Sequence, residues 1–344
     1  KPIVSDLVIN ICLELVSKIS TQIFPYVISI LLNEMLVISK KKSKLGSLQI
    51  LLEYIKRIEH LDKDLLSSCL PVLIPAIKEL IHDTNSEISD LATDVMTVTM
   101  NGITNRDLEP LVNDLISAMK NIEETNETIQ KLASVVFVQT MEGSALAVII
   151  PLILSGFRNS KSLVKRMCSR IVGNMSKLLE DPTEGLPFFE KLIPAMHEAS
   201  DSIPDPEARS VAVETHKLLV RLKDRAEKIR KNNQFREQSY IFNYLKDTYR
   251  DLKNNLYISY ITSSLIMTKT TEKYEYIKEL TPYLDNNDII EVLYNKSLGV
   301  INFEEEIVDD DNGDELCNCE FTLAYGTKVL LHNTRLKLIR GKKY

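Results

Sequence analysis

Side chains that commonly do chemistry are sparse and scattered in this sequence. Its five histidines, His60, His82, His197, His216 and His332, fall in what the sequence pattern reads as separate repeats or domains. Isolated imidazoles on amphipathic helices read as surface or packing residues, because acid–base work needs a second polar group within hydrogen-bond reach. Cys317 and Cys319 are separated by one residue instead of the two of a zinc knuckle, and no second Cys/His pair follows, so no metal site is expected. No G-x-x-x-x-G-K-[ST] phosphate loop, G-x-G-x-x-G turn or H-E-x-x-H pair occurs. No catalytic residue is assigned. What remains is local positive charge. Lys165, Arg166 and Arg170 form one group, close to Arg158 and Lys161. Arg221, Lys228 and Arg230 form another, among Lys223, Arg225, Lys231 and Arg236. Lys40, Lys41, Lys42 and Lys44 form a third. The chain is acidic, with 42 Lys and Arg against 48 Asp and Glu and a net charge of −6. Phosphate affinity follows local charge density and not the total, so the first two groups are candidate phosphate contacts. A solvated helix face is the other reading of each.

The elements that would carry these groups are helices. The 344 residues are 44% hydrophobic with 10 Gly and no Trp, which excludes wholesale disorder and disfavours Gly-rich sandwiches and Gly-loop enzymes. Before residue 221 the chain repeats. Pro25, Pro71, Pro110, Pro151 and Pro194 recur at 46, 39, 41 and 43 residues, each early in an apolar run that a second amphipathic stretch follows. Apolar residues keep the i, i+3, i+4 spacing of one helix face in Leu108, Leu111, Val112, Leu115, Ile116 and Met119. The same holds for Leu163, Met167, Ile171, Met175 and Leu178, and for Ala208, Val211, Ala212, Thr215, Leu219 and Leu222. The prolines are expected in first helical turns. A period near 40 with two helices per unit predicts a HEAT/armadillo α-solenoid over residues 1–220. Residues 3–17 read as the second helix of a unit whose first helix lies upstream, and Lys1-Pro2 as a cut inside a longer protein.

Past residue 221 the rhythm stops. Eleven of the 12 prolines precede this point and 11 of the 13 tyrosines follow it. Amphipathic stretches near 234–252, 256–268, 271–283 and 286–297 predict a helical bundle over residues 221–303, its tyrosines half-buried with hydroxyls reaching water. Residues 304–316 are acidic and nearly devoid of apolar side chains, which predicts a solvated linker. From 317 to 344 the period changes to 2: Phe321, Leu323 and Tyr325, then Val329, Leu331, Leu336 and Leu338, with His332-Asn333-Thr334 as the turn. No uncharged stretch exceeds 15 residues, and 19–33 and 143–157, which contain proline, fall short of the ~20 apolar residues a spanning helix needs. Five scattered cysteines read as reduced thiols of a cytoplasmic protein.

The stretch from Cys317-Asn318-Cys319-Glu320-Phe321-Thr322-Leu323-Ala324-Tyr325-Gly326 to Leu331 resembles the entry to the first nucleotide-binding domain of fungal-type translation elongation factor 3. Val135-Val136-Phe137-Val138, Ile150-Pro151-Leu152, 174–182 and Ile203-Pro204-Asp205-Pro206-Glu207-Ala208-Arg209 agree in the same order. The resemblance implies HEAT repeats, a four-helix bundle, an acidic linker and the first strands of an ABC cassette. It implies an arm that binds the ribosome, rRNA and ribosomal proteins alike. The parent protein would be a ribosome-stimulated ATPase that promotes tRNA release from the exit site. Tyr325 matches the aromatic that stacks on adenine. ATP and Mg belong to that parent and no cofactor to this chain, because the residues stop before the phosphate loop. The 344 residues alone are expected not to hydrolyse ATP. A monomer is expected, with neither membrane nor DNA as partner. A non-enzymatic HEAT scaffold binding the ribosome or other proteins is the alternative.

Overall fold

Apolar residues at three- and four-residue spacing fold the first two-thirds of the chain into paired helices. The structure, a computed structural model, describes residues 2–37, 40–249, 252–284, 286–308, 315–325 and 328–339. A helix α1 (Pro2–Lys18) precedes five pairs: α2 (Phe24–Leu36) with α3 (Lys41–Leu61), and α4 (Lys63–Ile81) with α5 (Ser86–Thr99). Then come α6 (Val112–Lys120) with α7 (Thr125–Ser134), α8 (Gly143–Phe157) with α9 (Ser162–Lys177), and α10 (Leu186–Ser202) with α11 (Pro206–Asn232). Second helices stack on one another, as α1 on α3, α3 on α5, α7 on α9 and α9 on α11. Because α6 has only nine residues, α4 reaches past it to pack on α8. One core runs from Val16 to Ala226 and holds Leu115, Ile171, Met175 and Leu219, all buried. Burying each such side chain contributes ~1.5–3 kcal/mol. The fold is an all-α solenoid, as the periodicity predicts.

Three details differ from the sequence reading. Pro25 and Pro110 do open helical turns, but Pro71, Pro151 and Pro194 each stand ninth in α4, α8 and α10. Those helices start two turns earlier, since Leu65, Leu66 and Cys69, Ala145 to Ile150, and Phe188, Phe189 and Leu192 are buried ahead of the proline. In α9 the core face is Val164, Cys168, Ile171, Val172 and Met175, whereas Leu163 is 57% exposed. The cause is a close helix crossing. A Cβ on Gly156 of α8 would meet Ile129 Cδ1 at 2.6 Å and Cys168 Sγ closer still, so Val164 and Cys168 turn inward at this point. Finally, α11 runs unbroken across residue 220, where the solenoid was expected to end.

The bundle comprises α12 (Gln238–Thr248), α13 (Asn255–Met267), α14 (Lys273–Leu280) and α15 (Asn287–Val308). It has its own core, built on Ile241, Leu245, Ile258, Ile261, Leu265, Tyr276, Leu280 and Leu293. Tyr244, Tyr257, Tyr260, Tyr283 and Tyr294 are partly buried around it, while Tyr276 is fully buried. The chain divides into two compact units, Lys1–Glu304 and Glu305–Tyr344. Helix α15 continues through 304–308, which had been read as linker, because glutamates are good helix formers; residues 309–314 lie outside the described residues.

Within the second unit, β1 (Glu315–Tyr325) pairs antiparallel with β2 (Lys328–Ile339). Tyr325 faces Lys328 and Phe321 faces Thr334, so β2 passes straight through His332-Asn333-Thr334. The chain therefore reverses between Tyr325 and Lys328 and not at that tripeptide: with both strands long enough to pair throughout, the ladder overrides local turn preference.

Candidate functional site

The buried seam of α11 has a strict rhythm. Ala208, Ala212, Thr215, Leu219, Leu222, Ala226 and Ile229 alternate steps of four and three, and all are buried except the partly buried Leu222. A helix turns about 100° per residue, so positions two residues further on lie about 200° away, on the opposite side. Those positions carry Ser210, Glu214, Lys217, Arg221, Asp224, Lys228 and Lys231, and all seven are exposed. Among the described residues no ion pair involves the four cations. The result is a strip of four positive charges and two negative ones, Glu214 and Asp224, with all four cations from residue 217 onward, along the outer side of the helix that joins solenoid to bundle. Of the residues the sequence reading chose here, Arg221 and Lys228 lie on the strip. Arg230 does not; its guanidinium meets Glu237 at 2.9 Å. Lys217 was missed, though the four-three spacing of the seam would have found it.

The α9 group is engaged inside the protein. Lys165 Nζ donates to Ser202 Oγ (2.9 Å), and Arg166 approaches Asp205 and Glu207 at 3.8 and 3.7 Å. Arg170 Nη2 donates to the Ala133 carbonyl at 3.0 Å. These three side chains tie α9 to the helix pair after it and to α7 of the pair before it. The lysines near residue 40 behave alike in part: Lys44 meets Asp83 at 2.8 Å and Lys41 meets Glu87 at 2.9 Å. Its hydrogen bond from Lys44 holds the Asp83 carboxyl below the usual carboxylate range.

A second polar cluster lies where the bundle meets the solenoid. Asp181 caps the 3-10 turn Pro182–Gly185 by accepting from Thr183 N–H, and its side chain is nearly buried. Glu184 accepts from Gly143 N–H at the start of α8. Lys269, in the α13–α14 connection, reaches both carboxylates, at 3.4 Å from Asp181 Oδ2 and 3.1 Å from Glu184 Oε1. Nearby Glu142 accepts from Thr104 Oγ1 at 3.2 Å; burial, then the charge of Glu184, push its carboxyl up. Nothing in the local sequence marks this cluster, since its members are far apart in the chain, Lys269 lying 85 residues from Glu184.

Among the described residues the histidines form no catalytic set, although His197 and His216, expected in separate repeats, belong to one helix pair and stack at 5.2 Å. Cys12, Cys69 and Cys168 are free thiols, and Cys317 and Cys319 approach to 3.6 Å on one side of β1. Among the described residues no group of three or more His, Cys, Asp or Glu side chains could hold a metal ion. Tyr325 ends β1, and its side chain lies outside the described residues. Among the described residues no phosphate cradle accompanies it, and no step is assigned to ATP and Mg.

Residues 2–96 match the family described as EF3 N-terminal HEAT repeat, and residues 123–230 match the one described as Elongation factor 3/GNC1 HEAT repeat. The chain belongs to the elongation factor 3 family. An elongation factor 3 from Phytophthora infestans is 30% identical over 100% of this chain and 34% of its own length. One from Pneumocystis carinii is 33% identical over 80% of this chain and 28% of its own length. Elongation factor 3B of Saccharomyces cerevisiae is 28% identical over 95% of this chain and 33% of its own length. The chain thus spans about a third of the length of these relatives. The second of these matches runs to residue 230 in α11, and therefore includes most of the basic strip. Among the described residues no single helix is long and apolar enough to cross a membrane.

Proposed function

We propose that this chain is the ribosome-contacting arm of a translation elongation factor, and that the outer strip of α11 meets ribosomal RNA. Its parent would couple ATP hydrolysis to tRNA release from the exit site. The observation that carries the reading is the placement of Lys217, Arg221, Lys228 and Lys231 opposite the buried seam, exposed and without ion pairs among the described residues. Phosphates are recognised by such cations through counterion release, which needs no pocket and tolerates a convex helix. The α9 group ranks behind it, because Lys165, Arg166 and Arg170 already have partners within the protein. A photo-crosslinking residue in place of Arg221 or Lys228 tests the proposal. Crosslinks to ribosomal RNA from these positions, and none from Leu163 on α9, are expected. Crosslinks from Leu163 alone would transfer the interface to α9.

A further inference from the structure

The bundle bridges distant repeats, and its two ends are built differently. At one end it grips the first helix pair through buried and apolar contacts. Ser264 Oγ donates to the buried Gln22 at 2.8 Å, Ile23 enters the bundle core, and Tyr26 stacks on Tyr260 at 4.1 Å. Ser20 Oγ donates to Glu279 at 2.8 Å and Ser20 N–H to the Tyr257 hydroxyl at 3.4 Å. At the other end, four repeats away, the contacts with the Pro182–Gly185 turn are polar. They include Lys269 with Asp181 and Glu184, and Arg236 Nη1 donating to Thr183 Oγ1 at 3.1 Å. Helix α11 stays joined to the bundle through Asn233 Nδ2, which donates to the Val300 carbonyl at 3.1 Å, and Met267 packs on the solenoid core.

Lys269 stands in an unusual place. Thr270 N–H donates to the Leu265 carbonyl and Lys269 N–H to that of Ile266, the pair of bonds that closes a Schellman cap on α13. The residue at this cap position has φ 52°, in the left-handed region where glycine is the usual choice. A lysine there is worse for the cap than glycine. Its use lies in the side chain, which the left-handed backbone aims at Asp181 and Glu184, with Glu142 as the further acid beside them.

We infer that the bundle is a strap across the solenoid, permanently anchored at Gln22–Tyr26 and latched reversibly at Asp181 and Glu184 by Lys269. Buried apolar contact is insensitive to salt, whereas an ion pair whose lysine is 44% exposed is screened by it. The latched end therefore opens first, and opening lets the solenoid change curvature between its first and fifth helix pairs while both cores stay intact.

The test is amide hydrogen exchange on the full 344-residue chain carrying Lys269→Gly. Glycine keeps or improves the cap, so a merely structural Lys269 would yield a protein at least as well protected everywhere. The latch predicts instead that exchange across 183–186 and 265–272 rises by about threefold to tenfold, while 19–26 is unchanged. A second variant leaves Lys269 in place: Asp181→Asn with Glu184→Gln keeps the cap acceptors and removes both charges. Tryptic cleavage after Lys269 is then expected to accelerate severalfold. Unchanged exchange and cleavage at the Pro182–Gly185 end would overturn the latch. An equal rise at both ends would overturn the anchored strap.

Discussion

Substituting Gly156 by alanine tests how closely α7, α8 and α9 cross. A Cβ at 156 would lie 2.6 Å from Ile129 Cδ1 and nearer still to Cys168 Sγ, and both side chains are fully buried. Such overpacking costs ~1–3 kcal/mol. Against it stands the gain from replacing glycine in a helix, ~0.5–1 kcal/mol, smaller here because Gly156 is near the end of α8. The net expectation is a loss of about 0.5–2 kcal/mol. Gly299, in α15, is the internal control: nothing lies within 4 Å of its Cβ position, so Gly299→Ala should gain the full ~1 kcal/mol. Urea unfolding of the two variants should therefore shift the midpoints in opposite directions. Removing the obstructing atoms should reverse the sign at 156. In an Ile129→Val, Cys168→Ala background, Gly156→Ala is expected to become neutral or favourable. Equal shifts for the two glycines, or no rescue in that background, would refute the close crossing.

Met175→Asp places an unpaired carboxylate in the solenoid core and should cost about 4 kcal/mol or more, melting at least the adjacent pairs by circular dichroism. The Asp83 carboxyl is depressed, so its contribution is present at neutral pH and is lost as pH falls through its folded value. The stability gap between wild type and Asp83→Asn should close in acid. Glu142 has the opposite sign, because its raised value makes the charged form the unfavourable one in the fold. Glu142→Gln should match or exceed wild-type stability at pH 7, with the difference vanishing as pH falls below the usual carboxylate range. Calorimetry of the 344-residue chain with ATP should give no measurable heat at micromolar protein, and tight binding would reveal a nucleotide site outside the resemblance.

Much of this was legible in the residues. The 40-residue period and the three- and four-residue spacing identify paired helices, because only the buried face must be apolar and each unit repeats that demand. The α9 face was misjudged by one position. Leu163, Met167 and Ile171 fit a stripe as well as Val164, Cys168 and Ile171, and only the crossing at Gly156 decides between them. Proline phase was misread since a proline in mid-helix and one at a helix start both follow an apolar run. The α11 strip could be read from its seam alone. The Lys269 latch could not, since it joins residues that only the completed solenoid brings together.

The salt dependence of ribosome co-sedimentation addresses the central claim most directly. Each phosphate contact contributes about 0.7–0.9 to the slope of log affinity against log salt, so four contacts contribute about 3. Replacing Lys217, Arg221, Lys228 and Lys231 with Ala is expected to weaken binding and lower the slope by about 3 between 50 and 200 mM salt, with helicity unchanged. Replacing Lys165, Arg166 and Arg170 should leave the slope nearly as it was, since those cations are engaged within the protein. A slope untouched by the α11 substitutions, or lowered by the α9 ones alone, would contradict the assignment of α11 as the ribosome-facing surface.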